Sequence, residues 1–262
     1  MSFKLIQRLT AVVFAATLLV FVGLKIYTAL MVDLTPPVIS FDSDIVEVRV
    51  GTAEDTLLAG VTALDDRDGD VTDEVMIKGV SQLITADSAR ITYIAFDSSN
   101  NMATASRTIR YTNYEKPRFA LSAPLIFPTG GQVSILDQLT AQDVVDGDLS
   151  DSIRVTTQNV EVSRAGIYTV TVQVTNSLGD VESLPLKVVM TDSARTSPRV
   201  ALSSYIVYLD EGQSFHPNSY ITMPASASAV TVESNVNTNR AGIYEATYTC
   251  QGDTVYQTVV VR

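Results

Sequence analysis

The sequence contains little of the chemistry that most enzymes and nucleic-acid-binding proteins use. Its 262 residues include no Trp, one Cys (Cys250) and one His (His216), and only 7% of the residues are aromatic. A single Cys excludes an intrachain disulfide, and a single His excludes a metal site built from several histidines. There are 18 basic and 29 acidic residues, a net charge of −11. No basic surface is expected for phosphate backbones, so nucleic-acid binding is not expected.

Sequence motifs of catalysis are also missing. The chain contains no G-x-S-x-G, no Gly-rich phosphate loop and no H-E-x-x-H. His216 lies between Phe215 and Pro217, a context typical of a loop. Cys250 falls on the inward side of an alternating segment, which predicts a buried and inert thiol. We therefore expect a protein that is not an enzyme.

The N-terminal segment differs in charge from the rest of the chain. Acidic residues are absent before Asp33, and residues 33–262 carry 15 basic and 29 acidic groups, a net of −14. Between Arg8 and Lys25 lie 16 uncharged, mostly apolar residues. A helix needs about 20 such residues to cross about 30 Å of hydrocarbon, and the two flanking cations can reach the interfaces. Residues 1–32 are therefore predicted to be a cytoplasmic tip and a transmembrane helix.

A cleaved signal peptide is the alternative interpretation of this segment, because Lys4 and Arg8 also suit its charged N-terminal region. Cleavage requires small side chains just before the cut, whereas Phe21 and Tyr27 occupy such positions in the available sites. An uncleaved signal-anchor is favoured. Since the cations precede the helix, the positive-inside rule predicts a single-pass protein of the cytoplasmic membrane with residues 33–262 extracellular.

The exterior part contains a threefold repeat. Pro37, Pro117 and Pro198 open similar segments at spacings of 80 and 81 residues, and the sequence RAGIY occurs at both 164–168 and 240–244. Repeats of this length predict tandem domains. We place domain 1 at 33–113, domain 2 at 114–193 and a divergent domain 3 at 194–262.

Each repeat has the apolar alternation of half-buried strands. In domain 2 apolar side chains occupy every second position, at Tyr168, Val170, Val172 and Val174. Glycines punctuate the segments as turn residues, and no pattern of helical period follows residue 32. Several short strands per repeat predict a small antiparallel β-sandwich, so the fold class is all-β with one transmembrane helix.

The order of motifs in each repeat resembles the bacterial immunoglobulin-like repeat domains of surface proteins and of some insecticidal crystal proteins. Domain 2 carries the resemblance through Ala141, Asp143, Asp146, Gly147, Asp148, Gly166 and Tyr168. Domain 1 has Ala89 at the place of Tyr168, and domain 3 has residues 224–227 in place of the acidic loop. The resemblance implies three tandem Ig-like sandwiches, and it implies no activity, because such folds host unrelated functions.

This organisation predicts a membrane-anchored cell-surface stalk or scaffold for protein interaction or adhesion. The linkers at 111–116 and 191–197 are short and contain no glycine run, which favours domains arranged end to end as a semi-rigid rod. The alternative is a module that recognises glycan or cell wall through domain 3. That domain holds six of the eleven tyrosines. Exposed rings at Tyr205, Tyr208 or Tyr220 would supply its contacts with a sugar or a protein partner.

A repeated acidic loop is the candidate metal site. Its carboxylates are Asp65, Asp68, Asp70 and Asp73 in domain 1, and Asp143, Asp146, Asp148 and Asp151 in domain 2. Oxygen ligands on an irregular extracellular loop suit Ca²⁺. The Asp-Gly-Asp sequence is equally typical of a turn whose carboxylates accept backbone N–H groups, so calcium or a structural turn remain the two interpretations. No other cofactor is indicated.

Two tyrosines are assigned structural positions. Tyr168 and Tyr244 each follow a Gly at the start of an alternating strand. In β-sandwiches a tyrosine at such a corner donates its hydroxyl to the backbone. We predict that contact for both.

Overall fold

The structure, a computed structural model, describes residues 3–31, 33–192, 196–224 and 229–262. The chain divides into two compact units, Met1–Thr112 and Asn113–Arg262. Each unit is described separately below.

The first unit begins with the helix α1 (Phe3–Met31). Its sequence contains no proline, and Gly23 is its only glycine, so little in it opposes a continuous helix. The span Phe3–Thr28 has a mean hydropathy of 2.3, and none of its most apolar window is buried within the protein. A helix rises 1.5 Å per residue, so this span is long enough to cross a bilayer.

Domain 1 follows as two facing β-sheets. The smaller sheet has the strand order β1-β3-β4, and the larger has the order β2-β7-β6-β5. The elements are β1 (Val38–Phe41), β2 (Ile45–Val48), α2 (Glu54–Leu58), β3 (Val61–Asp65), β4 (Gly69–Asp70), β5 (Met76–Val80), β6 (Ser88–Phe96) and β7 (Met102–Tyr111).

The alternation along β6 places one row of side chains in the core of domain 1. Ala89, Ile91, Tyr93 and Ala95 are all fully buried. Successive strand residues point to opposite faces, so the residues between them face outward. The hairpin to β7 closes at Asp97 to Asn101 with Asn100 at φ 64°, a left-handed conformation that Asn tolerates better than most residues.

A buried arginine is the unusual feature of this core. Arg107 on β7 is 5% exposed, and its guanidinium donates to the carbonyls of Leu57 (3.0 Å) and Ala59 (2.9 Å) at the end of α2. Its Nε donates to the Tyr93 hydroxyl at 2.9 Å, and its charge lies over the rings of Phe41 and Tyr93. The group is therefore fully bonded, and it fastens α2 to the sheet.

The second unit contains two further pairs of sheets. In domain 2 the sheet orders are β11-β10-β8 and β12-β13-β14-β9, and in domain 3 they are β15-β17 and β16-β20-β19-β18. The strands of domain 2 are β8 (Arg118–Leu121), β9 (Ile126–Pro128), β10 (Leu139–Asp143), β11 (Gly147–Asp148), β12 (Arg154–Gln158), β13 (Gly166–Thr175) and β14 (Val181–Thr191). Those of domain 3 are β15 (Ala201–Leu202), β16 (Ile206–Leu209), β17 (Ile221–Met223), β18 (Thr231–Ser234), β19 (Gly242–Cys250) and β20 (Asp253–Val261).

The prediction of all-β sandwiches behind one apolar helix is confirmed, with one departure from the antiparallel pattern. In each larger sheet an edge strand runs parallel to the last strand of its domain: β2 beside β7, β9 beside β14 and β16 beside β20. The opening segment of each domain first pairs in the small sheet and then crosses to the large one. It thereby covers the otherwise open edge of the last strand.

Domains 2 and 3 pack against each other along their lengths. Thr258 and Val260 alternate with the core residues Val259 and Val261 on β20, so they point away from the core of domain 3, yet all four are buried. Strand β14 of domain 2 is in contact with β20. The end-to-end arrangement predicted from the short linker is therefore wrong for these two domains, because outward faces of their large sheets bury apolar surface together.

Contacts at both ends of this interface fix the orientation of the two domains. At one end Arg262 donates to the carbonyl of Lys116 at 3.5 Å. At the other end a groove is lined by Ile126 and Val189 of domain 2 and by Asp253 and Tyr256 of domain 3. Strand β20 consequently runs back along domain 2 from its C-terminal end to its N-terminal end.

Candidate functional site

The repeated acidic turns are built by carboxylates that accept local backbone N–H groups. Asp65 Oδ1 accepts from Arg67 at 2.8 Å and Asp68 at 2.9 Å. Asp143 Oδ1 accepts in the same way from the two residues that follow Val144, at 2.8 and 3.0 Å. The N–H groups of Asp68 and then Arg67 lower the pKa of Asp65, so its carboxyl group is charged at neutral pH.

The second predicted carboxylate of each turn, Asp68 or Asp146, reaches across to the neighbouring hairpin. Asp68 accepts from the backbone N–H and the hydroxyl of Ser98 at 2.7 and 2.9 Å. Asp146 accepts from the same two groups of Ser177, both at 2.6 Å. These pairs tie the two sheets of each sandwich together at one end, which is a structural role.

The remaining predicted ligands lie apart from any cluster. Asp70 Oδ1 accepts from the N–H of Thr72 at 3.0 Å, and Asp148 Oδ1 accepts from that of Ser150 at 2.9 Å. Bonds to Thr72 and Ser150, first through their side chains, lower the pKa of the two carboxyl groups. The exposed Asp73 and Asp151 stand outside both acidic groups described next.

Carboxylates converge only in domain 1 among the residues that the structure describes. Ligand atoms of Asp33, Asp65 and Asp66 lie within 4.8 Å of one another, and so do those of Asp65, Asp68 and Asp97. Sequence reasoning missed three of these five. Asp66 was adjacent to the predicted set, Asp97 was visible only as a turn residue, and Asp33 was visible only as the first acid after the apolar segment. Asp97 comes from the β6–β7 hairpin, far from the loop in sequence.

The two corner tyrosines make the predicted contact. The Tyr168 hydroxyl donates to the carbonyl of Arg164 and the Tyr244 hydroxyl to that of Arg240, both at 2.9 Å. The tyrosine rings also cover Gly166 and Gly242, where an added Cβ would lie 3.3 Å from ring atoms. The shared G-x-Y sequence therefore encodes a ring folded over a side-chain-free position two residues earlier.

The tyrosines proposed as partner-binding residues are not freely exposed. Tyr205 is 3% exposed, which corrects the expectation that its ring is available to a partner. Tyr220 is half-buried and stacks on Phe215 with centroids 5.9 Å apart. The Tyr208 hydroxyl accepts the N–H of Phe119 at 2.8 Å across the interface with domain 2.

Two arginine side chains also contact the Tyr208 ring in that interface. The guanidinium groups of Arg118 and Arg262 lie 5.5 and 4.6 Å from its ring centroid. Burial raises the pKa of Tyr208 to about 12. The predicted ligand contact is thus replaced by a contact between two domains of one chain.

This raised pKa has a consequence for alkaline stability. The unfolded chain loses the Tyr208 proton at about pH 10, whereas the folded unit retains it to about pH 12. The contribution of the group is therefore fully present below pH 10 and is lost as the pH rises through 12. Tyr208 therefore makes the free energy of unfolding fall as the pH rises from 10 to 12, by up to about 1.4 kcal/mol per pH unit. We expect this part of the fall to be absent in Tyr208→Phe. Denaturant titrations from pH 9 to 12 measure the fall. An unchanged fall in the variant would contradict the assignment.

The single Cys and the single His show no catalytic arrangement. Cys250 is buried in the apolar core of domain 3, as expected. The carbonyl of His216 accepts the N–H and the hydroxyl of Ser219 at the start of a short 3-10 turn. Four tyrosines have a raised pKa, and burial is the first cause in each case: Tyr114, Tyr205, Tyr208 and Tyr248.

Comparison with known proteins finds similarity in sequence to a crystal protein. No family model matches the chain. The pesticidal crystal protein Cry22Aa of Bacillus thuringiensis is 31% identical over 151 residues, which is 54% of this chain and 19% of that protein. The chain spans about a fifth of the length of this relative. The similarity agrees with the resemblance to insecticidal crystal proteins, while the Ig-like assignment stays a prediction.

Solved structures show only distant likeness. The M60 catalytic domain with CBM51-1 and CBM51-2 domains from Clostridium perfringens ZmpB is 10% identical, with 60% of this chain and 31% of that chain covered and a TM-score of 0.26. Domains 1–6 of the surface layer protein SbsC are 13% identical, with 87% and 40% covered and a TM-score of 0.21. At these scores the likeness carries no conclusion about function.

Proposed function

We propose that the protein is a membrane-anchored, non-enzymatic bacterial surface scaffold whose Ig-like domains are displayed outside the cytoplasmic membrane. The observation that carries this proposal is α1, an apolar helix with no protein surface packed on its most apolar window. Exposed leucine, valine and phenylalanine side chains cover it on all sides. A lipid environment removes that surface from water.

The polar groups within α1 support the same proposal. The hydroxyls of Thr10, Thr17 and Thr28 donate to carbonyls one turn earlier, at 3.0–3.1 Å. Such bonds satisfy hydroxyl groups inside hydrocarbon without a partner helix. The charged residues of α1 are Lys4, Arg8 and Lys25, and they flank its longest uncharged stretch, so their side chains can extend to the lipid headgroups.

The exterior domains favour a scaffold over glycan recognition by domain 3. That alternative depends on exposed rings, and the tyrosines that would supply them are occupied by packing within the second unit. A scaffold needs rigid domains and surface area. The shared interface of domains 2 and 3 gives the second unit that rigidity, and the partner it presents or contacts is a protein or cell-surface component of unassigned identity.

The topology has a direct test that uses the buried thiol. Cys250 is 3% exposed, so a Cys250→Ala background removes the one native thiol at the cost of a small core defect. We expect Thr52→Cys to react with a membrane-impermeant maleimide on intact cells, and Ser2→Cys to react only after the membrane is permeabilised. Intact-mass measurement of the purified chain reports in parallel whether α1 is retained.

Two results would reject the proposal. Labelling of Ser2→Cys but not Thr52→Cys on intact cells would invert the orientation. Recovery of the protein from the soluble fraction, with residues before Asp33 removed, would identify the segment as a cleaved signal.

A further inference from the structure

Asp65 has a buried carboxylate oxygen without a hydrogen-bond partner. The residue is 8% exposed, and its Oδ1 accepts two backbone N–H groups of its own turn. Its Oδ2 has no donor within hydrogen-bonding distance in the part of the chain described. An unpaired buried carboxylate oxygen costs free energy unless a cation or a donor is present.

The surroundings of this oxygen are negatively charged. Asp33 and Asp66 form one group with Asp65, and Asp68 and Asp97 form a second group with it. Asp33 and Asp97 are 8% and 6% exposed, so water screens their charges poorly. Arg67 belongs to the same turn, and its side-chain charge is the last of the causes that shift the pKa of Asp65, after the N–H groups of Asp68 and of Arg67 itself.

In the equivalent turn of domain 2 the corresponding carboxylate oxygen has a hydrogen-bond donor. There Asn176 occupies the position of Asp97, and its Nδ2 donates to Asp143 Oδ2 at 3.2 Å. The hairpin residues are exchanged between the domains: Asp97 and Asn101 in domain 1 correspond to Asn176 and Asp180 in domain 2. An N–H donor therefore faces Asp143, whereas a second carboxylate faces Asp65.

Two further acidic positions of domain 1 are occupied by uncharged residues in domain 2. Asn113 stands at the repeat position of Asp33, and Val144 stands at that of Asp66. Domain 2 thus keeps the turn with two of the five carboxylates and closes it with an amide. The structural role of the turn does not require the additional acids, so domain 1 holds them for another reason.

We propose that domain 1 binds a calcium ion through Asp33, Asp65, Asp66, Asp68 and Asp97, with Asp65 Oδ2 as the central ligand. Calcium accepts six to eight oxygen ligands in irregular geometry, which suits carboxylates from three separate segments. Magnesium demands near-octahedral geometry and keeps several waters, which suits the set less well. Domain 2 has no such site among its described residues.

Binding fastens the segment after α1 to domain 1. The Asp33 carbonyl already accepts Asn101 Nδ2 at 3.2 Å, and its Oδ1 accepts the N–H of Thr35 at 3.0 Å. A shared cation would connect this segment with the 65–68 turn and the β6–β7 hairpin. The ion binding itself does not depend on the proposed membrane topology.

Hydrogen exchange of the full chain in nonionic detergent micelles tests the proposal, with CaCl₂ added to chelator-treated protein at constant ionic strength. We expect exchange to slow about tenfold at amides of 33–37, 65–70 and 97–101, with a midpoint on the order of 10⁻⁴–10⁻³ M typical of extracellular calcium modules. Amides of the second unit should not respond. Asp65→Asn should abolish the response, and the exposed Asp66→Asn should raise the midpoint about tenfold.

Matched variants separate a site from general acidity. Asp143→Asn alters the equivalent turn of domain 2, and Asp73→Asn removes an exposed acid outside the cluster, so both should leave the calcium midpoint unchanged. The proposal is overturned if 10 mM CaCl₂ slows no amide, if Asp66→Asn responds like the unaltered chain, or if Asp73→Asn shifts the midpoint equally. An equal response to MgCl₂ would reject calcium as the preferred ion.

Discussion

Replacing Arg107 with Ala is expected to destabilise domain 1 by about 4 kcal/mol, because a large buried side chain is lost together with its hydrogen bonds and its contacts with two aromatic rings. The substitution leaves the Ala59 carbonyl without its Arg107 donor, while the Leu57 carbonyl loses one donor and keeps the Tyr93 hydroxyl at 2.7 Å. It also opens a cavity beside the rings of Phe41 and Tyr93. The ion-pair partner Asp42, 3.4 Å away, is 68% exposed and regains water, so the loss arises chiefly from the broken hydrogen bonds and the cavity.

Hydrogen exchange resolves this effect by domain. A loss of about 4 kcal/mol corresponds to about a thousandfold faster exchange at protected amides of β6 and β7 that open only by unfolding of the domain. The second unit should be unaffected. Arg107→Lys keeps a charge but lacks the planar fork, so an intermediate loss is expected.

Arg110 provides the matched control on the same strand. It pairs with Glu47 at 2.8 Å on the surface, where both side chains are largely exposed. Arg110→Ala should cost less than about 1 kcal/mol. Equal losses for the Arg107 and Arg110 variants would show that the buried network contributes nothing beyond surface charge.

The second large effect is expected at the interface of domains 2 and 3. Tyr208→Ala removes the half-buried ring that Arg118 and Arg262 contact and the acceptor for the Phe119 N–H. Because truncation of a fully buried aromatic costs about 3–5 kcal/mol, we expect about 3 kcal/mol for this half-buried ring. We expect the loss to appear as separation of the two domains, because Tyr208 lies at their interface and only partly in the core of domain 3.

Limited proteolysis together with hydrogen exchange measures this separation. Amide hydrogen exchange should accelerate in β8, β16 and β20, and proteolytic cleavage between the two domains should become faster. Tyr208→Phe keeps the ring and loses one hydrogen bond, so a cost of only about 1 kcal/mol is expected. If Tyr208→Ala speeds exchange in domain 3 but not at β8 of domain 2, the interface role is wrong.

Several local features were predictable because neighbouring residues determine them. The alternation in β6 and β13 and the repeated prolines predicted strands and their repeat, and G-x-Y predicted the corner tyrosines. The turn carboxylates were also predictable as acceptors, since Asp65 and Asp143 bond to N–H groups two and three residues later. Each of these interactions spans only a few positions.

For the opposite reason, only Asp65 and Asp68 of the five clustered carboxylates in domain 1 were predictable. Asp97 reaches Asp65 through the pairing of a hairpin with a distant turn, and Asp33 reaches it through the path of the chain after α1. No local pattern distinguishes these aspartates from ordinary turn or linker acids. Domain 1 has Asp97 and Asn101 where domain 2 has Asn176 and Asp180. The consequence of this exchange is visible only in the structure, where Asn176 donates to Asp143 whereas Asn101 donates to Asp97.

By itself, the sequence determined the class of this protein: an apolar helix followed by repeated all-β sandwiches with acidic turns and few catalytic residues. Hydrophobic periodicity and composition carry that information along the chain. Only the tertiary structure decided that Tyr205 is buried and Tyr208 half-buried rather than displayed, that domain 3 lies alongside domain 2, and that four other carboxylates lie near Asp65. These outcomes depend on which distant surfaces exclude water together, and one-dimensional patterns do not specify that choice.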